Sequence, residues 1–210
     1  MLDEKMVQSQ GERALLEAKL RLEARAKTGS GWFYWIAGLS FLNSLSVLLG
    51  GQLTFLFGLA ITQVVDGISL GIQSNAGLEG VNFVSLIAFG LNFMAALVVG
   101  AFGYFARKGN QSAYVVGMAL YALDTLVTLL FQDWLGFLFH LLALAGLWGG
   151  FRAFRKLLPV QTGIAPLQTL REEVVTPEQQ DRSKRRIAIL IALMGVVLAL
   201  AFIAATLQAR

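Results

Sequence analysis

The sequence predicts an all-α fold: a polytopic integral membrane bundle of about six hydrophobic helices, preceded by an amphipathic N-terminal helix. Of the 210 residues, 56% are hydrophobic and 14% charged, which leaves too few charges to cover a water-facing globule. Long uncharged apolar runs recur along the chain, and in lipid a helix satisfies its own backbone polar groups. The alternation of polar and apolar residues that a barrel requires is absent.

Composition excludes several classes of function. The chain has no cysteine, which rules out disulfides, thiolate metal sites and a cysteine nucleophile, and its single histidine argues against a multi-histidine metal centre. We therefore assign no metal and no cofactor. The net charge of +4 does not predict a nucleic-acid partner, because the basic residues lie in the tail and loops, where membrane proteins carry them.

Residues 1–31 are predicted to form the charged amphipathic helix. The region contains no proline, and Glu23 and Lys27 have the i, i+4 spacing that stabilises a helix. Thr28–Gly31, with two glycines, is predicted to end it. Such a helix lies on the membrane surface or docks a partner protein, and the sequence leaves both alternatives open.

The membrane bundle is predicted over residues 32–151, followed by a basic polar loop at 152–186 and a last transmembrane helix at 187–207. The Thr176-Pro177 pair predicts a helix start within the loop. No signal-peptide core precedes the bundle, so the first membrane helix is expected to direct insertion. Five apolar segments make up the bundle: 32–49, 53–73, 81–106, 112–131 and 134–151.

Orientation presents a conflict. Lysine and arginine collect in the tail, at Arg107-Lys108 and in the loop 152–186, and the positive-inside rule places all three in the cytoplasm. Five crossings would put the tail and the loop on opposite sides. Either the tail is external, or one segment is re-entrant, and 53–73 is the most polar candidate. We expect a cell-membrane protein with the loop 152–186 cytoplasmic and leave the side of the tail open.

Six polar side chains lie near the middle of their segments. Polar groups at this depth turn towards a bundle interior or a water-filled cavity. An aspartate at a helix centre costs roughly 2.5–3.5 kcal/mol on insertion scales. Each of the two aspartates among these residues therefore requires a proton, a hydrogen-bond partner or a bound cation to offset that cost. The predicted midplane site consists of Asn43, Gln63, Asp66, Asn92, Asp124 and His140.

Asp124 and His140 are predicted to face each other. Each lies eight residues from Gln132, in the two-residue polar turn between the fourth and fifth segments, so an antiparallel hairpin places them at one depth. For Asp66, Gln63 or an asparagine of a neighbouring helix is the expected partner. Such groups form a proton relay or solute site, or else a polar network that fixes helix register. Two GxxxG matches, Gly67–Gly71 and Gly146–Gly150, predict close helix packing.

The sequence supports two functions from different classes. The first is a small transporter or ion-coupled permease with a midplane polar site; the second is a non-catalytic membrane subunit whose polar residues are structural. A polar cavity reachable from one face would favour the first, and a dry core the second. Enzyme motifs such as HExxH, GxSxG and GxGxxG are absent, so no catalytic residue is assigned. The expected partners are the lipid bilayer and a protein bound through the N-terminal helix or the loop 152–186.

Overall fold

The computed structural model describes residues 2–51, 58–174 and 185, and the regular elements in these residues are all helices. The chain divides into two compact units, Met1–Ala18 with Pro166–Arg210, and Lys19–Ala165. The α-helices are α1 (Leu2–Leu48), α2 (Ala60–Ala76), α3 (Phe83–Arg107), α4 (Gln111–Leu130) and α5 (Trp134–Gln161).

In the first unit, the described residues are the beginning of α1, the segment 166–174 and residue 185. That segment contains a 3₁₀ helix, Leu167–Glu173, which begins after Pro166 in extended conformation. The Thr169 hydroxyl donates to the Pro166 carbonyl at 2.8 Å and closes the first turn. The predicted helix start at Thr176-Pro177 and the last transmembrane helix at 187–207 lie outside the described residues.

The helix α1 runs without a break from Leu2 to Leu48. The prediction that a helix ends at Thr28–Gly31 is therefore wrong. The two glycines lie within helical backbone instead of ending it. Ser30, between them, is buried, and its hydroxyl donates to the Lys27 carbonyl within the same helix at 3.0 Å. The charged N-terminal part and the first apolar segment therefore belong to one continuous helix.

In the second apolar segment, predicted as one helix over 53–73, the described helix begins at Ala60, and Gly58 and Leu59 before it are not helical. The helix α2 has 17 residues and ends at Gly77, whose positive φ of 64° gives a left-handed C-cap. Its first residues are buried in the bundle, with Leu59 and Ala60 each 5% exposed and Thr62 at 0%. A helix that begins in the interior of a bundle requires partners there for its first N–H groups.

Among the described residues, three helices are long and apolar enough to cross a membrane: Phe83–Arg107, Gln111–Leu130 and Trp134–Gln161. Helix α5 continues past the predicted start of the polar loop at Arg152, so the first ten residues of the expected loop are helical. Pro159 lies in the last turns of this helix without ending it. Six hydrophobic helices are not seen among the described residues.

The distribution of polarity is that of a protein in lipid. The interior carries Asn92, Asp124 and His140, each at most 7% exposed, while Leu123 and Leu138 on the outside are 60% and 58% exposed. An apolar exterior around a polar interior suits hydrocarbon surroundings, because lipid gives no hydrogen bonds to an outward-facing polar group. The fold agrees with the membrane class predicted from composition.

The directions of the helices follow from their contacts. Ser40 of α1 accepts from Leu59 N, and Ser44, one turn further along α1, donates to Asp66, so α1 and α2 run parallel. Asn92 of α3 bonds Ser44 while Gly103 packs against Phe33, so α3 is antiparallel to α1.

The directions of α4 and α5 also follow from their contacts. Gly117 of α4 packs against Phe33 of α1, and Asp124 of α4 reaches the level of Ala60. On α5, His140 contacts Asp124, and Gly150, ten residues later, lies beside Gly29. Helix α4 is therefore parallel to α1, and α5 is antiparallel to both.

These directions define two ends of the second unit. The end of α1, the end of α2 and the α4–α5 turn lie together at what we call the turn end. Lys27, Arg107 and Gln161 meet around one cavity at the opposite end, which we call the basic end. Helices α1, α3, α4 and α5 each run between the two ends, whereas α2 begins in the interior and runs to the turn end.

The two GxxxG matches differ in the structure. Gly146 and Gly150 of α5 lie against α1, where a side chain would overlap Trp32 and Gly29 respectively. A Cβ added at Gly67 or Gly71 of α2 would meet no atom within 4 Å. Among the described residues, the first pair therefore makes a close contact between helices and the second pair does not.

We expect Gly150→Ala to destabilise the protein in detergent by about 1–3 kcal/mol, because the added methyl group forces α1 and α5 apart. Gly149→Ala is the matched control, since its Cβ meets nothing within 4 Å. Equilibrium unfolding in SDS, followed by circular dichroism, measures both variants. Equal stability of the two would contradict the observed packing of α1 on α5.

Candidate midplane site

The first N–H groups of α2 are capped by a carboxylate from another helix. Leu59, at the N-cap position, has no side-chain cap of its own. Asp124 of α4 accepts instead, from Ala60 N at 2.8 Å and from Ile61 N at 2.9 Å. A carboxylate at this position satisfies two otherwise unpaired donors and interacts favourably with the helix dipole.

Two further contacts complete the start of α2. The Ser40 hydroxyl accepts from Leu59 N at 2.7 Å and itself donates to the Ile36 carbonyl at 2.8 Å. Thr62 N donates to the Leu59 carbonyl at 3.2 Å. The N–H groups from Leu59 to Thr62 are therefore all satisfied by protein groups, as a helix start in a buried setting requires.

His140 is the third component of this site, and the predicted contact with Asp124 is confirmed. Nε2 of His140 lies 3.1 Å from Oδ2 of Asp124, and Nδ1 lies 2.7 Å from the Gly136 carbonyl. Because a carbonyl only accepts, Nδ1 carries a proton. A hydrogen bond between Nε2 and the carboxylate requires one further proton, shared by the two groups.

The aromatic ring of Tyr121 holds the imidazole from one side. The two rings are stacked, with centroids 5.0 Å apart and planes 12° from parallel. Tyr121 precedes Asp124 by one turn on α4, so the carboxylate and the stacking ring come from one helix. Together with the Gly136 carbonyl, this stacking fixes the orientation of the imidazole. We call Asp124, His140, Ser40 and the start of α2 the capping site.

A second buried network surrounds Asp66. Oδ2 of Asp66 accepts from the Ser44 hydroxyl at 3.1 Å, and Oδ1 accepts from the Asn92 amide at 2.7 Å. The same amide nitrogen lies 2.8 Å from the Ser44 hydroxyl oxygen and 3.2 Å from the Thr62 carbonyl. The prediction that an asparagine of a neighbouring helix partners Asp66 is confirmed. We call these residues the Asp66 network.

The other two predicted site residues, Asn43 and Gln63, lie near these two groups. Asn43 is 2% exposed and borders Gly58, where a Cβ would lie 3.1 Å from its amide nitrogen. Gln63 is half-buried and lines a groove on the outside of the bundle. Ser40, Ser44 and Thr62 were not among the predicted site residues, although Ser40, Asn43 and Ser44 have the i, i+3, i+4 spacing of one helix face.

A groove of about 600 Å³ runs beside the capping site. It is lined by α2, by Thr128 one turn beyond Asp124, and by Asp133 in the α4–α5 turn. Ala60, the first residue of α2, forms part of its wall, whereas Asp66, Asp124 and His140 do not line it. The groove thus extends from the start of α2 towards the turn end.

Comparisons of this chain with protein-family models, with curated proteins and with solved structures give no match.

Proposed function

We propose that the protein is a small cell-membrane transporter in which α2 is a re-entrant half-helix held by Asp124. The observation that most supports this proposal is the start of α2 inside the bundle. Two of its N–H groups are bonded to the Asp124 carboxylate, which also contacts the only histidine of the sequence. Interrupted helices whose N-termini point at a midplane site are typical of secondary transporters, where the positive end of the half-helix binds anionic substrate groups.

The proposed topology has four crossings in the second unit, by α1, α3, α4 and α5, with α2 entering and leaving at the turn end. Four crossings return the chain to the basic end, which brings Lys27, Arg107-Lys108 and the basic residues of α5 to one side. The positive-inside rule then assigns the basic end to the cytoplasm. This arrangement removes the orientation conflict in the sequence. The expected helix at 187–207 would add a further crossing.

In the proposed mechanism, protonation of the Asp124–His140 pair controls whether the first N–H groups of α2 are free to bind a solute. In the described state, Asp124 occupies the N–H groups of Ala60 and Ile61. A second proton on the Asp124–His140 pair makes Asp124 a neutral acid beside an imidazolium, and a neutral acid accepts weaker hydrogen bonds than a carboxylate. The freed N–H groups then bind a carboxylate or carbonyl of a solute that enters by the groove. Loss of that proton restores the cap and releases the solute.

Proteoliposomes with an internal pH-sensitive dye test this proposal. Small carboxylic acids and amino acids are offered outside, and proton entry is recorded. We expect one of these classes to drive proton entry in the wild type and not in Asp124→Asn, which keeps a hydrogen-bonding amide but carries no titratable proton. Asn75→Ala is the matched control, because its exposed amide bonds only within α2. Absence of any solute-driven proton entry by the wild type would contradict the proposal.

The second candidate is a non-catalytic membrane subunit, and the Asp66 network favours it. Both carboxylate oxygens of Asp66 are bonded to the protein, and the residue is 7% exposed, as in a dry structural core. In this alternative, a partner protein binds the N-terminal helix or the loop after α5. An inert wild type in the liposome assay, together with a defined complex isolated from native membranes, would support the subunit.

A further inference from the structure

A cavity of about 340 Å³ opens at the basic end, far from the capping site, between α1, α3, α4 and α5. Its charged lining comprises three cations, Lys27, Arg107 and Lys108, and one carboxylate, Glu23. Tyr114 forms part of the wall, and its buried hydroxyl has no hydrogen-bond partner among the described residues. The excess of positive charge suits an anionic group.

Two of the cations are held in place by aromatic rings of the bundle. The Arg107 guanidinium lies 5.9 Å from the centroid of the Tyr34 ring, and Nζ of Lys108 lies 4.4 Å from that of Tyr104. Such cation–π contacts leave the donors free to bind a ligand from the other side. Both side chains therefore remain near the mouth of the cavity.

An apolar groove of about 650 Å³ adjoins the cavity and shares Lys27 and Arg107 with it. From these two cations it continues over Trp32, Trp35 and Leu39 along the outside of α1. Trp35 is 69% exposed, which places an aromatic surface where a helix of this kind meets lipid. A polar cavity and an apolar groove thus meet at one pair of basic residues.

We propose that this composite site binds an anionic phospholipid, with its phosphate between Lys27 and Arg107 and an acyl chain in the groove over Trp35. The headgroup occupies the cavity. A soluble anion such as inorganic phosphate would use the cavity alone and would leave the groove without a role. Basic pockets between membrane helices are suited to acidic headgroups, because the cytoplasmic leaflet is rich in them. This site is independent of transport through the bundle.

Quenching of tryptophan fluorescence by brominated lipids tests the site, because bromine quenches only an indole that it contacts. The full chain, carrying Trp134→Phe and Trp148→Phe to leave Trp32 and Trp35, is reconstituted with brominated phosphatidylglycerol or phosphatidylcholine. We expect stronger quenching by phosphatidylglycerol at equal mole fraction. Lys27→Gln and Arg107→Gln should each reduce the relative affinity about fivefold, the factor for about 1 kcal/mol per basic residue at a membrane surface.

Three control variants distinguish binding at this site from general attraction to surface charge. Arg25→Gln and Arg155→Gln remove exposed charges outside the site and should keep the preference. Glu23→Gln removes the one carboxylate and should strengthen it. Equal quenching by both lipids would overturn the proposal, as would an equal loss in the Arg25 and Arg155 variants, which would indicate general surface charge. Displacement of phosphatidylglycerol by millimolar inorganic phosphate would assign the cavity to a soluble anion and also overturn it.

Discussion

Replacing Asp124 with alanine is expected to lower the free energy of unfolding by about 3–5 kcal/mol, because it leaves several buried donors without their acceptor. The change leaves the N–H groups of Ala60 and Ile61 without acceptors and Nε2 of His140 without its partner. Equilibrium unfolding in SDS measures the loss. Asp124→Asn should cost less, since an amide oxygen still accepts from an N–H group.

Asp133→Ala is the matched control for this variant. Asp133 caps its own helix, α5, by accepting from Gly136 N at 2.9 Å, and its loss should cost about 1 kcal/mol. His140→Ala completes a double-mutant cycle with Asp124→Ala, in which the double variant should lose clearly less than the sum of the singles. An additive cycle, or equal losses at Asp124 and Asp133, would contradict the role given to the capping site.

Replacing Asn92 with alanine is expected to cost about 3 kcal/mol, because its amide is the donor that Asp66 and the Thr62 carbonyl share. The carboxylate would keep only the Ser44 hydroxyl. The exchanged pair Asp66→Asn with Asn92→Asp retains one carboxylate and one amide at the same positions and should recover part of the loss. The same SDS titration compares the three proteins.

Asn75→Ala provides the baseline for the Asn92 series. Its amide bonds the Gly71 carbonyl at the exposed end of α2, so we expect a change within about 0.5 kcal/mol, as for surface substitutions in general. An Asn92→Ala variant as stable as Asn75→Ala would show that the Asp66 network does not hold α1, α2 and α3 together.

The contact between Asp124 and His140 was predictable because a short turn fixes depth. The sequence predicts segments 112–131 and 134–151, and the structure has α4 at Gln111–Leu130 and α5 from Trp134. Residues at equal distance from such a turn in two antiparallel helices meet at one level. The partner of Asp66 was predictable for a different reason, since a buried carboxylate requires donors and asparagines lay at similar depth.

The start of α2 at Ala60 was not predictable from local sequence. Apolar residues run without a break from Phe55 through Ile61, and no capping residue occurs at Leu59. The cap comes from Asp124, which is 64 residues further along the chain. A pattern of local signals does not contain such a contact. The sequence did contain the charge conflict, which left an external tail or a re-entrant segment as alternatives and made 53–73 the candidate for the second.

The continuity of α1 through Thr28–Gly31 was missed for a related reason. Glycine pairs commonly end helices, and the change from charged to apolar residues at this point reinforced that interpretation. In the structure, Gly29 is instead the contact point with Gly150, where two backbones approach too closely for any side chain. The requirement for glycine is set by tertiary packing, which the neighbouring residues do not encode.

The central claim, that α2 does not cross the membrane, is tested most directly by cysteine labelling in intact cells, since the chain has no cysteine of its own. Leu49→Cys follows α1, Glu79→Cys follows α2, and Gln111→Cys begins α4; all three positions are exposed. We predict that an impermeant maleimide labels Leu49→Cys and Glu79→Cys from outside, and Gln111→Cys only after permeabilisation. Labelling of Leu49→Cys and Glu79→Cys from opposite sides would contradict a re-entrant α2.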